Sequence, residues 1–445
     1  MLINKIVLDG YRNISDSTLE FDKITSIVGV NNYGKSNFLE GISFGMDFIK
    51  NPARIKSNMM RYPGGLPINR ETANRDFLFE IEGVGEMNKK LYIISYKFSF
   101  EWIRGKGNGQ KVKYEELKMK EHGSPNARFS KMLVRDYNNA LYKSSPTGRC
   151  NTNIEVANNE LVLNKIEVIE GLFYKEVLAQ LNNINIDIIS FMNTDQAFSS
   201  IKINESSDVD LSNLDTEDGH NIPHIIYYLK ENHNDKYEML INAFKTLIPS
   251  IEEIEPLCLD FKSQFQVKKE MNIPFEVPEK YYEIRIKEKY NNQDTEIRNL
   301  SSGSRRIFSL LTSAIIADET NTSLIAFEEL ENSIHPYLFQ KLIIILTNIV
   351  KNCRIVITSH SPYVIQYLDL NHIHIGIPTD NGTANFRKIK KSAGSIIMRH
   401  ASELEVSIGD YLFDLLVEQY SDNAELNSYL EWGNDEKRKS WEEEI

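Results

Sequence analysis

An α/β fold with a parallel core is predicted by three features of the chain. A glycine-containing loop separates an apolar strand pattern, KITSIVGV, from a helical one, SNFLEGISFGMDFI. Helix and strand patterns then alternate late in the chain: a helix from Ser304, a strand at SLIAF, a helix after Pro336 and a strand at RIVIT. A parallel sheet with crossover helices requires that alternation. Between these parts, FLFEIEG, LYIISYKFSFEWI, VKYEELKMK and KMLVRDY read as antiparallel strands punctuated by Gly and Asn, which predicts a β-rich lobe.

The remaining elements follow in order. IVLDGYRNI reads as a strand and turn, and residues 161–185 as helical. PHIIYYLKENHNDKYEMLINAFKTLIP reads as two short helices, with Asn232 to Asp235 at the turn and Pro249 at the stop. YYEIRIKEKY returns to strand. The expected division is residues 1–200 as an N-terminal lobe, 201–280 as a helical insertion, 281–400 as a C-terminal lobe and 401–445 as an acidic tail. No repeat and no long heptad run interrupts this plan.

Composition narrows the class. The chain has 445 residues, 26% charged and 41% hydrophobic, with a net charge of −12, which is that of a folded protein. No run approaches the ~18 apolar residues of a membrane helix, so no membrane partner is expected. The start, MLINKIVLDGYRN, lacks a signal peptide's apolar core, and secretion is not expected. Cys150, Cys258 and Cys353 are far apart, without a C-x-x-C pair, which disfavours a disulfide framework or cysteine zinc site and fits a reducing, cytoplasmic setting. From Ala401 onward thirteen Asp/Glu face three Lys/Arg, a net of −10, leaving about −2 for the other 400 residues. The body can therefore hold a basic face for nucleic acid. Candidates are Lys106, Lys111, Lys113, Lys118 and Lys120, and separately Arg387, Lys388, Lys390, Lys391 and Arg399; the plain alternative for each is a solvated surface. YLFDLLVEQY has apolar residues at helical spacing and is expected to pack.

The most specific signal is GVNNYGKS, Gly29 to Ser36, which matches G-x-x-x-x-G-K-[ST] between a strand and a helix. Gly29 and Gly34 allow a tight loop, and the backbone N–H groups of Gly29, Val30, Asn31, Asn32, Tyr33, Gly34 and the following residues can cradle phosphate. The helix after the loop, through Asn37, adds its positive end. Lys35 can neutralise the β- and γ-phosphates of ATP, and the Ser36 hydroxyl can join Mg²⁺.

Three later segments are weaker alone. LSSGS brings Ser301, Ser302 and Gly303 to a helix start, an anion site or simply a cap. SLIAFEELENSIHP ends an apolar strand in Glu328 and Glu329. One carboxylate can hold Mg²⁺ and the other can orient and deprotonate water; the alternative is a solvated strand end. RIVITSHSPYVI places His360 after a buried strand, as a γ-phosphate donor or a structural histidine. His372 and His374 in LNHIHIG read as structural. All four segments fall where strands run into loops, the side on which open α/β folds bind phosphate ligands.

KIVLDGYRNI, GVNNYGKSN, LSSGSRR, LIAFEELENSIHP and VITSHSPYVI together resemble ABC-type ATPase heads of the RecF and SMC group. They resemble more closely the bacterial ATPases of the overcoming-lysogenization-defect kind and the ATPase subunits of anti-phage defence operons. The resemblance implies an ABC-type P-loop head, with Lys35 and Ser36 in Walker A, Ser301, Ser302 and Gly303 in the signature loop, Glu328 as the Walker B acid and Glu329 as the catalytic glutamate. Glu331, Asn332 and Ser333 correspond to the D-loop, His360 to the switch histidine, and Arg12 to a basic residue beside the nucleotide. DGHNIPHIIYYL and the residues after it resemble the group's helical insertion.

In that group two heads close on ATP, so the resemblance implies at least a homodimer. It also implies ATP hydrolysis that releases the contact. The overcoming-lysogenization-defect enzymes carry a nuclease domain after the ATPase; only about 70 residues follow the core that ends near residue 375 here, fewer than such a domain needs. A separate effector, such as a nuclease, is therefore expected as partner. The departures are Glu328 where Asp is usual, Ser302 where Gly is common, Ser304 where Gln is common, and no recognisable glutamine loop. They leave a non-hydrolysing scaffold and a RecF-like repair ATPase as competing expectations.

Overall fold

The computed structural model describes residues 1–61, 66, 69–104, 108–124, 126–190, 222–260, 280–377, 379, 381–417 and 424–431. Lys106, residues 201–221 and 261–279 of the expected insertion, and the closing NDEKRKSWEEEI lie outside them. The chain forms two compact units, Met1–Ile186 with Arg354–Ile445, and Asp187–Cys353.

The first unit contains an eight-stranded antiparallel sheet. Its order is Ser17–Glu20, Leu2–Asp9, Phe77–Met87, Lys90–Glu101, Lys111–Glu121, Ser130–Asp136, Asn139–Tyr142 and Thr152–Asn153. Alternation in FLFEIEG sends Phe77, Phe79 and Ile81 to the buried face and leaves the residues between them partly open. Phe98, Phe100 and Trp102 continue that aromatic layer, and all three are buried.

The helix Lys35–Lys50 lies on this layer. It approaches closely because Gly41 and Gly45 are one turn apart on one side: a β-carbon at Gly45 would sit 2.4 Å from the Phe79 ring, and one at Gly41 2.4 Å from Leu8. Phe48 stacks on Phe100 with centroids 4.6 Å apart.

The same unit holds the parallel strands. Arg354–Ser359, Ile24–Val28 and Ile373–Gly376 run side by side in parallel, with Phe386–Lys388 antiparallel at the end. ITSIV is buried at every residue, as expected for a strand covered on both faces. The helices Gly394–Glu403, Ile408–Val417 and Ala424–Tyr429 share an apolar cluster with Ile373 and Ile375. Tyr411, Leu412 and Leu416 are buried there, as their spacing requires.

In the second unit, Ile222–Asn232 and Asn234–Leu247 form the helix pair, turning at His233. Ile251–Asp260, Lys280–Glu288 and Thr295–Glu296 form a three-stranded antiparallel sheet. The helix Ser302–Glu319 precedes the buried strand Leu324–Glu328, and the helix Pro336–Ile349 follows it. Phe244 meets Phe308 edge-on at 5.0 Å, which joins the helix pair to Ser302–Glu319. Among the described residues no helix is long and apolar enough to cross a membrane.

Candidate nucleotide site

In the first unit the glycine loop leaves the end of Ile24–Val28 and enters the helix Lys35–Lys50. Asn32 has φ 60 and Gly34 has φ 120, so the loop turns through left-handed backbone. A β-carbon at Gly34 would lie 2.8 Å from Asn13 Oδ1 and 3.0 Å from Ala384 Cβ, which restricts that position to glycine. Lys35 is buried, and its Nζ donates to the carbonyls of Gly29 at 2.9 Å and Val30 at 3.0 Å. Ser36 is exposed in the first turn, and that turn carries no acidic residue to offset the helix's positive end.

Tyr33 points into the protein. Its ring is buried edge-on against Phe386 at 5.5 Å. Its hydroxyl donates to the Ile377 carbonyl and accepts the Asn385 N–H at 3.0 Å, and burial raises its pKa. Tyr33 thus anchors the loop through its side chain, leaving only its backbone for a ligand.

Arg12 sits at φ 49 and donates to Asn37 Oδ1 at 2.8 Å, while ion-pairing with Glu40. Asn13, which sequence reasoning passed over, accepts from Asn37 Nδ2 at 2.9 Å and donates to the Tyr33 carbonyl at 3.0 Å. Its signal was present: it lies in the GYRN turn, where a side-chain amide can replace missing backbone partners. His360 follows the neighbouring parallel strand, and the Gly29 N–H donates to the Ser359 carbonyl at 3.3 Å. Loop and histidine therefore share one sheet edge.

The second unit carries the other motifs. Ser301 caps Ser302–Glu319, its Oγ accepting the Ser304 N–H at 3.2 Å. Ser301 and Ser302 are exposed, and this helix start also lacks an acidic residue. Glu328 ends its strand, and Glu329 turns to φ 48, so the two carboxylates leave the strand differently. Asn332 Nδ2 donates to Glu329 Oε2 at 2.6 Å.

Arg306 was not foreseen. It is buried and donates to the Glu328 carbonyl at 3.2 Å and the Glu329 carbonyl at 2.6 Å, tying the helix Ser302–Glu319 to the carboxylate turn. Burial lowers its pKa, opposed by Glu331 and Glu329. The available signal was its position one turn before Leu310, on the helix's apolar stripe.

These parts fit a nucleoside triphosphate with Mg²⁺. A loop closed to side chains at Gly34, a buried lysine, and an exposed hydroxyl on an acid-free helix start offer donors for phosphate and an oxygen for a hard cation. Strand, glycine loop, lysine and helix define a P-loop nucleotide-binding protein. The chain belongs to the AAA ATPase domain family, whose sequence model matches residues 1–365.

Among solved structures, the chain is similar to an Smc head bound to the C-terminal winged-helix domain of ScpA, with TM-score 0.47 and 12% identity over 89% of this chain and all of the other. It is also similar to the SMC head domain from Thermotoga maritima, with TM-score 0.40 and 14% identity over 88% of this chain and all of that one. A third is an Smc head domain with an extended coiled coil, bound to the C-terminal domain of ScpA derived from Pyrococcus furiosus, with TM-score 0.40 and 11% identity over 90% and 99% of the two chains. No curated protein matches the chain.

Proposed function

We propose that this chain is an ATP-hydrolysing head of the ABC type that pairs with a second copy through bound ATP and controls a separate effector, such as a nuclease, in bacterial anti-phage defence. The observation that carries the nucleotide part is the Gly29–Ser36 loop, closed to side chains at Gly34 and set on an acid-free helix start. Pairing is supported by the exposed Ser301–Ser302 tip, a second acid-free helix start and a natural contact for another copy's phosphates. Defence and the effector rest on the motif resemblance.

Each side chain has a role in this reading. Gly29 to Asn37, with Lys35, binds and orients the triphosphate, and Arg12 flanks it. Ser36 and Glu328 would hold Mg²⁺, which neutralises phosphate charge when bound. Glu329, oriented by Asn332, accepts a proton from the attacking water. His360 donates toward the γ-phosphate. The expected division at residues 200, 280 and 400 belongs to the same proposal, as does a cytoplasmic location. Loss of the γ-phosphate then frees the pair, so the γ-phosphate biases a two-state contact.

Glu328 favours one second reading. Its side chain is longer than the usual aspartate, which suits a scaffold that binds ATP and turns it over slowly. Phosphate release by the full chain, with Lys35→Ala and Glu329→Gln alongside, separates the two. Release above the Lys35→Ala background supports the ATPase; binding without release supports the scaffold. Sizing with and without ATP tests pairing, and co-purification from the native operon tests the effector.

A further inference from the structure

We propose that the solvent face of the eight-stranded sheet binds single-stranded nucleic acid. This goes beyond the nucleotide reading and does not depend on it.

Strand register places the relevant side chains on one face. Glu80, Lys97 and Glu116 are direct cross-strand partners in one row. Lys5, Glu82, Ser95, Lys118 and Lys131 form the next row. Directly opposed residues share a face, and this one is opposite the aromatic layer under the helix Lys35–Lys50.

The charges on it are layered. Glu80 lies between Lys5 at 3.9 Å and Lys97 at 3.7 Å. Glu101 lies between Lys111 at 3.7 Å and Lys113 at 3.4 Å. Glu116 lies between Lys118 at 3.8 Å and Lys131 at 2.8 Å. Each of these three glutamates thus holds two ammonium groups and leaves one positive charge over; Glu82 and Asp136 on the same face offset part of that surplus, and Lys120 adds to it. Asp76, beside Lys113 at 2.7 Å, is balanced by Arg104 at 3.0 Å. The three glutamates are sunk, 11–16% exposed, whereas Lys97, Lys118 and Lys131 stand out at 30%, 32% and 57%. An approaching molecule meets positive charge first.

Two open aromatic rings complete the pattern. Phe129 is 37% exposed, with Lys118 and Lys120 over its ring at 5.4 and 4.6 Å. Tyr137 is 47% exposed, with Lys111 and Lys113 at 5.4 and 5.5 Å. The two rings flank the strand Ser130–Asp136, one before its start and one after its end. Ammonium groups beside open π-faces suit a flexible polymer of phosphates and planar rings. A duplex buries its base faces, and an acidic peptide has no rings to stack.

The test is fluorescence anisotropy of labelled oligodeoxythymidine with the full chain, across salt concentrations. Binding should weaken with salt with a log–log slope of roughly −2, about −0.7 for each of three phosphates neutralised. Phe129→Ala with Tyr137→Ala should weaken it by about tenfold or more. Lys120→Glu, at a residue outside the glutamate triads, should weaken it and lower the slope. ATP binding by the same variants should stay at the wild-type level, which separates a lost surface from a lost fold. No binding, or variants that bind like wild type, would overturn the proposal. So would a duplex bound equally well by the aromatic variants, or displacement of the strand by polyglutamate at equal charge, which would mark the face as a protein-docking surface.

Discussion

The β-position of Gly303 lies 2.4 Å from the backbone oxygen of Ser333. The Ser301–Gly303 loop and the turn after the two carboxylates are therefore packed backbone to backbone. Ser333 itself has φ 63, so neither side of this contact has slack.

Gly303→Ala should force these segments apart. The obstacle is backbone, not a side chain that can rotate, and overpacking of this kind costs ~1–3 kcal/mol. Chemical denaturation of the variant should show that loss, and ATP-dependent pairing should fall with it. Ser302→Ala, at an exposed neighbour, should leave stability within about 0.5 kcal/mol. If both variants unfold at the wild-type midpoint, the contact is not as tight as the geometry says.

Arg306 predicts a separation between stability and rate. Arg306→Met leaves the Glu328 and Glu329 carbonyls without a charged donor, a loss of about 2–3 kcal/mol. The same bonds fix the backbone that carries the proposed base. Because a displacement of about 1 Å can cost on the order of 100-fold in rate, phosphate release should fall far more than stability does. Arg306→Lys should lie between: an ammonium can donate to both carbonyls, as one guanidinium nitrogen does here, but lacks the rigid planar group that fixes their direction. Equal loss of stability and rate in both variants would make Arg306 a packing residue only.

A pH dependence follows from His374. It is fully buried in the strand Ile373–Gly376, its Nε2 accepts the Glu20 N–H at 3.2 Å, and burial, helped by Lys388 and His372, lowers its pKa to about 3. The unfolded chain protonates the same ring near its ordinary value of about 6.5. Between those values the unfolded state binds more protons, so stability is full above about pH 6.5 and falls as pH drops toward 3. From pH 7 to pH 5 the loss should be ~2 kcal/mol. Urea titrations at the two pH values measure it, and His374→Gln, which keeps an acceptor but cannot titrate, should remove most of the difference.

The parts legible in the sequence are those whose physics is local. The glycine loop, the alternation in FLFEIEG and the cap at Ser301 each depend on a few consecutive residues. His372 and His374 read as structural because they alternate along a strand, and here His372 pairs with Asp22 at 2.9 Å while His374 is buried. What escaped depends on distant partners. Ile251–Asp260 did not read as a strand because IEEIEPLCLD contains a proline and four carboxylates; it is held by pairing with Lys280–Glu288. Arg306 was not singled out, because its carbonyl partners at Glu328 and Glu329 lie more than twenty residues away. Tyr33 read as a loop residue, since nothing near it in sequence reveals Phe386 or Ile377.

Tyr33 carries the last prediction. Tyr33→Phe keeps the ring against Phe386 and removes only the hydroxyl, leaving the part-buried Ile377 carbonyl and Asn385 N–H without this partner. Unsatisfied buried groups of this kind cost about 1–3 kcal/mol, so thermal or urea unfolding should move by that amount. The functional consequence is indirect. Loosening one side chain of the loop lets the Gly29–Gly34 amides sample more orientations, and ordering them again on binding weakens ATP affinity without changing any group that touches phosphate. Calorimetric titration with ATP should therefore give a higher Kd for Tyr33→Phe, with phosphate release at saturating ATP close to wild type. A variant that loses stability but binds ATP as tightly as wild type would show that the anchor serves the fold alone.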